Sequence, residues 1–252
     1  MEEIIACKRK ELDAVRRKTR SMKEALASSR SGIIAEFKRK SPSKGWISPE
    51  ARPEEVVPGY AGAGAAAVSI LTDEKYFGGH IGFISQVRNL VPELPLLRKE
   101  FVIDRYQIYE AKSAGADAVL LIAAALKKEQ YADLLSEAQQ LGLEVLLEVH
   151  DSSELSFLEA GIPDMLGVNN RSLGTFHTDV RHSFEIAGLM RRAVGNLPED
   201  QRPVLVSESG ISLPSVVKEL RDAGFRGFLI GECFMREEDP ASALERFIRE
   251  LC

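Results

Sequence analysis

The chain predicts an α/β fold, a single (β/α)8 TIM barrel preceded by an extra N-terminal helix. Three observations carry that expectation. Eight short runs rich in Val, Ile and Leu recur along the 252 residues. They are nearly continuous rather than alternating, as strands buried on both faces are. Helix-like stretches separate them, and a small residue plus Gly repeatedly stands just before the next run, where Gly supplies the left-handed residue that stops a helix.

In chain order, residues 3 to about 27 read as one helix. Ile4, Ile5, Leu12, Val15, Met22 and Leu26 fall roughly three or four apart between charges, with no Gly or Pro among them. This extension, 1–30, is expected to cap the open end of a barrel, with a dimerisation arm as the alternative. The strands are then expected at 33–38, 66–71, 96–101, 117–123, 143–149, 164–169, 203–208 and 227–231. Helix-ending glycines precede five of them: Gly64, Gly115, Gly142, Gly161 and Gly224. Between the strands, 105–114, 128–141, 182–193 and 213–223 read as helices. Eight such units fit one domain over 1–252. A doubly wound sheet is the runner-up, but it rarely needs eight strands and no GxGxxG follows any of these.

Composition narrows the function. A net charge of −5 leaves no basic surplus to hold nucleic acid. Cys7, Cys233 and Cys252 are odd in number and far apart, and the four histidines lack HExxH spacing, so neither a disulfide framework nor a metal site is expected. The N-terminus is charged from Glu2 and no apolar run reaches membrane-spanning length. A cytoplasmic protein is expected, with no nucleic acid and no membrane as partner, and a monomer or weak homodimer as the working unit.

Barrel active sites sit at the C-terminal ends of the strands, and the polar residues gather there. In IIAEFKRKSPS (33–43), period two puts Glu36 and Lys38 on one face and Phe37 on the other. A carboxylate and an ammonium aimed into one interior are costly unless they meet a polar cavity. Strand three ends in Arg98, Lys99 and Glu100, strand five in Glu148, and strand six in Asn169, Asn170 and Arg171. Strand seven ends in Glu208, Ser209 and Gly210, and strand eight in Gly231. Lysines and carboxylates confined together separate one another's proton affinities into acid and base roles. SESG after strand seven and IGE after strand eight, with a short helix over 232–236, match the usual barrel phosphate site. Lys40 and Ser41 are expected to reach it from loop one.

The blocks IIAEFKRKSPS, SILTDEKYFGG, LLRKEFVID, GADAVLLI, LLEVH, GVNNRSL, SESGI and FLIGECFM resemble indole-3-glycerol phosphate synthase in order and spacing over nearly the whole chain. That resemblance implies 1-(2-carboxyphenylamino)-1-deoxyribulose 5-phosphate as substrate, and indole-3-glycerol phosphate, CO2 and water as products. It implies Lys99 as general acid and Glu148 as general base. Lys38 would pair with the substrate carboxylate or assist proton transfer, and Glu36 would orient both lysines. Asn169, Arg171, Ser209 and Glu208 would position the substrate. Phosphate contacts would come from Lys40, Ser41, Gly210, Leu229, Gly231 and the backbone at Glu232. Phe77, Phe101 and Pro42 would form the slot for the aromatic ring. No cofactor is implied, because the cyclised iminium is itself the electron sink for decarboxylation. Glu100, His80 and Glu232 depart from the family pattern, where Asp, Ser and a small hydroxyl residue are usual; the Glu232 carboxylate is expected to point away from a phosphate. A related phosphate-binding barrel, phosphoribosylanthranilate isomerase, and a non-catalytic scaffold are the rival readings. The pairing of Lys38 with Lys99 favours the synthase, and the intact charged strand ends speak against a scaffold.

Overall fold

A computed structural model describes residues 17–252 except Leu173 and Phe176. Helix α1 (Met22–Ser28) leads into β1 (Ile33–Phe37). A small hairpin, Lys40–Ser41 against Gly45–Trp46, follows in loop one. Then come α2 (Pro53–Gly62), β2 (Ala67–Leu71), α3 (Glu74–Phe77), α4 (Gly82–Arg88), β3 (Leu96–Lys99), α5 (Arg105–Ala114), β4 (Ala118–Ile122) and α6 (Lys128–Gln140). The chain continues through β5 (Glu144–Val149), β6 (Met165–Asn169), α7 (Arg181–Gly195), β7 (Val204–Glu208), α8 (Pro214–Asp222), β8 (Gly227–Ile230), α9 (Glu232–Met235) and α10 (Pro240–Leu251). Between β5 and β6 the connection is a 3₁₀ stretch, Ser152–Glu159. The eight strands are all parallel and close on themselves, β8 pairing with β1. Each expected strand is present with ends shifted by no more than two residues. Gly64, Gly115, Gly142 and Gly224 take φ between 68° and 108°, as helix-stopping residues do.

Strand alternation sorts side chains into two layers. Ile33, Ala35 and Phe37 of β1 pack outward against the helices, whereas Ile34 joins Leu97, Leu120, Leu146, Met165, Val206 and Leu229 inside the barrel. Met22 and Leu26 of α1, both fully buried, belong to that inner cluster. The lumen is thus filled from the N-terminal end, and each plug residue contributes about 1.5–3 kcal/mol by burial.

The expected leading helix does not run unbroken through the described residues. Among the described residues helix begins at Met22, where the Ser21 side chain caps it by accepting from the Glu24 N–H at 3.0 Å. Residues 17–20 are not helical; Arg17 and the Arg20 N–H are drawn to the buried Asp117 instead. A tertiary ion pair overrides local propensity there. Ile4, Ile5, Cys7, Leu12 and Val15 lie outside the described residues. Among those described, no helix is long and apolar enough to cross a membrane.

Candidate active site

The C-terminal strand ends open into one cavity of about 860 Å³, a size that suits a small molecule. Alternation delivers its charges. Two residues beyond lumen-facing Ile34, Leu97, Leu146 and Val206 stand Glu36, Lys99, Glu148 and Glu208.

Lys99 is the hub of this group. Its Nζ lies 2.7 Å from Glu148 Oε2 and 3.0 Å from Glu208 Oε2. Burial would favour the neutral amine, but attraction from Glu148, Glu208 and Glu36 overrides it and holds the ammonium far above the usual lysine range. For Glu148 burial favours the neutral acid, yet Lys99 and His150 outweigh it and keep the carboxyl below its ordinary value. Glu208 goes the other way. Burial raises it, Lys99 opposes, and repulsion from Glu148 adds to the rise, so it is pushed up to about 7. Two carboxylates share one ammonium, and their proton affinities are driven apart. Gly167 of β6 makes room for this arrangement, since a Cβ there would overlap Glu208 Oε1.

A second pair stands on β1 and the residue after it. Lys38 Nζ lies 2.7 Å from Glu36 Oε1, with the two side chains 12% and 4% exposed. At Gly231 a Cβ would come within 2.5 Å of Glu36 Oε1, so only glycine leaves this carboxylate its place.

The rim over β6 to β8 and loop one carries a cationic cluster. Glu232 is held by Lys44 at 2.5 Å, by Arg171 at 3.8 Å and by Arg236. Beside it the backbone turns sharply, with Ser209 at φ 69° and Gly210 at φ 79°. A non-glycine residue held there costs about 1–3 kcal/mol. Asn170 holds the turn by donating from Nδ2 to the Ser209 carbonyl at 3.0 Å. On the apolar side, Phe77 and Phe101 set their rings 6.5 Å apart at 35°, with Pro42 on the same cavity wall.

Glu36, Lys38, Lys99, Glu148, Asn169, Ser209, Arg171, Phe77, Phe101, Pro42, Glu208, Ser41, Gly210, Leu229, Gly231 and Glu232 all line this cavity. Lys40 does not. Its Nζ donates to the Lys75 carbonyl at 2.9 Å and stands over the Trp46 ring. The hairpin explains the error, because Lys40 and Ser41 are adjacent in a strand and face opposite sides. The same alternation turns Arg98 outward to Glu110 and Asn170 outward to Ser183. The Glu232 carboxylate, expected to point away, instead faces the cations of the rim.

Lys44, Arg236 and His150 are additions that the sequence reading missed. His150 Nε2 lies 3.4 Å from Glu148 Oε1, on the far side from Lys99. Its signal was present in LLEVH, where Glu148 and His150 are two apart on one strand end. Lys44 and Arg236 carried only the general signal of basic residues in loops one and eight.

A sequence model of the family described as indole-3-glycerol phosphate synthase matches residues 2–247. The chain belongs to the indole-3-glycerol phosphate synthase family. An indole-3-glycerol phosphate synthase of Bacteroides thetaiotaomicron is 60% identical over 233 residues, covering 92% of this chain and 85% of the relative. Another, of Laribacter hongkongensis, is 43% identical over 215 residues, covering 85% and 78%. Among solved structures, a 3-hexulose-6-phosphate synthase superposes with a TM-score of 0.64 at 14% identity, over 87% of this chain and 99% of that one. A tryptophan synthase complex from Pyrococcus furiosus gives 0.61 at 13% identity, over 89% and 99%. At such identities these two speak for the shared barrel alone.

Proposed function

We propose that this cavity carries out the indole-3-glycerol phosphate synthase reaction: ring closure, decarboxylation and dehydration of 1-(2-carboxyphenylamino)-1-deoxyribulose 5-phosphate. The observation that carries the assignment of roles is the single ammonium of Lys99 clamped between two buried carboxylates of unequal proton affinity. Ring closure turns a ketone oxygen into an alkoxide. Lys99, held protonated until a stronger base presents itself, donates to that oxygen. Once its proton has gone, Glu148 loses the positive partner that suppressed its basicity. Carbon dioxide departs, its bonding electrons passing to the ring iminium; Glu148 then takes the ring proton while the Lys38 ammonium protonates the departing hydroxyl, which leaves as water. Acid and base act in sequence because they are one ion pair, and Glu208, poised near neutrality, steadies Lys99 throughout.

Lys38 faces the substrate carboxylate and is kept in place by Glu36. Arg171, Lys44 and the turn at Ser209–Gly210 receive the phosphate, while Phe77, Phe101 and Pro42 hold the anthranilate ring. The substrate has two anionic ends, and the site offers a separate cation group for each. On this reading the enzyme works in the cytoplasm as a monomer or weak homodimer.

The test is formation of fluorescent indole-3-glycerol phosphate by purified protein. Turnover is expected for wild type, and Glu148→Gln is expected to lower kcat far more than it raises KM, because a base acts in the transition state. Absence of product at high enzyme concentration would overturn the proposal. Equal damage to kcat and KM would remove Glu148 from the role of base.

A further inference from the structure

We infer that Glu232 is a built-in counter-ion of the phosphate cradle, whose carboxylate competes with a phosphate dianion for Lys44 and Arg171 and thereby sets the anion affinity of the site. This rests on the phosphate reading of the rim given above.

The geometry is that of an anion already in position. Glu232 Oε1 lies 2.5 Å from Lys44 Nζ, and Oε2 lies 3.8 Å from an Arg171 terminal nitrogen. Both cations come from other segments, loop one and the end of β6, and both pair with this carboxylate. Its proton affinity is lowered: burial raises it, but Lys44, Arg236 and Lys38 together prevail. It therefore stays ionised wherever a phosphate would be a dianion. Two anions cannot share these donors without repulsion at close range. Either the carboxylate withdraws or the phosphate binds weakly.

A retreat is built in. Arg236 lies four residues on, pairs with the same Oε1, and is half exposed. When a phosphate claims Lys44 and Arg171, the carboxylate keeps Arg236 and swings toward water, so no charge is left buried and unpaired. Arg171 is prepared for the exchange. One terminal nitrogen is fixed by donating to Ser43 Oγ at 2.9 Å, and its buried Nε–H has no hydrogen-bond partner among the described residues.

The consequence is a lower affinity of the cradle for any phosphate, free or esterified. Inorganic phosphate has the cradle alone with which to displace Glu232. A substrate also anchored at the aromatic slot and at Lys38 has additional binding energy to offset the displacement. Glu232 thus keeps the site from being occupied by free phosphate.

Titration calorimetry of inorganic phosphate, at one fixed ionic strength, tests this on wild type, Glu232→Gln, Glu232→Ala and Arg171→Ala. Both Glu232 variants are expected to bind inorganic phosphate about five- to tenfold more tightly than wild type, and Arg171→Ala about tenfold more weakly. Unchanged or weaker binding in both Glu232 variants, with Arg171→Ala weakened, would overturn the counter-ion role and leave the phosphate site standing. Equal binding by all four proteins would remove the phosphate site and the inference with it.

Discussion

The two ends of this barrel are built from the same residue types and used in opposite ways. At the N-terminal end, the buried Asp117 accepts from Arg17 at 2.8 Å, Arg88 at 2.6 Å, the Arg20 N–H at 2.8 Å and the Leu96 N–H at 2.9 Å. Glu144 likewise accepts from Ser21 Oγ, the Met22 N–H and the Lys23 N–H. Those acids are saturated with donors and tie the leading segment to the strands. At the C-terminal end, two acids compete for Lys99, and Glu208 Oε1 is buried without a hydrogen-bond partner among the described residues. Saturated charges hold a structure in one state. Unsaturated ones keep a free energy of protonation that a substrate can use.

Substitutions at each end test that contrast. Lys99→Ala is expected to lower kcat by about 10²–10⁴-fold while circular dichroism and substrate binding stay close to wild type. Glu208 can take up a proton and relieve the lost charge. A variant within threefold of wild-type kcat would remove Lys99 from the chemistry.

Asp117→Ala is the mirror experiment. It strands Arg88 and Arg17, and breaking a buried pair costs about 3–5 kcal/mol of stability. Urea unfolding should report that loss, with kcat of the folded fraction within about twofold of wild type. A large fall in kcat without a fall in stability would erase the distinction between the two ends.

The pH dependence of stability gives a smaller effect. Glu208 binds its proton more tightly in the folded state, at about 7 against an ordinary 4.5. Its contribution to stability is therefore complete below about pH 4.5 and is lost as pH rises toward 7. Glu208→Gln lacks this loss, so its Tm should gain on wild type across that interval and keep the gain at pH 8. Parallel Tm curves for the two proteins would contradict the raised proton affinity. The smallest effect belongs to Lys40→Ala, expected to leave KM within about twofold, whereas Lys44→Ala should shift it clearly. Reversed results would return Lys40 to the phosphate site.

Some of this site was legible because alternation is a local rule. Once 33–38 and 143–149 are strands, Glu36 and Glu148 must share the lumen with the aliphatics two residues before them. The rule failed where its frame was unknown. Nothing in KRKSPSKGW announces a hairpin, and without the hairpin Lys40 and Ser41 look like neighbours on one surface. Helix was expected through 17–21 for a related reason: 3.6-residue periodicity is visible in the chain, but Asp117, about a hundred residues away, is what holds Arg17 and Arg20 out of helix.

The sequence alone determined the eight strands, the glycines that stop the helices before them, and which face of each strand carries charge, because these follow from neighbours a few residues apart. Only the tertiary structure decided that Lys99 lies between Glu148 and Glu208, that Gly167 and Gly231 leave space for carboxylates, and that Glu232 gathers Lys44 and Arg171. Those relations depend on barrel closure and strand register, which bring together side chains as far apart in the chain as Lys44 and Glu232, separated by 188 residues, and no local pattern encodes the distance between them.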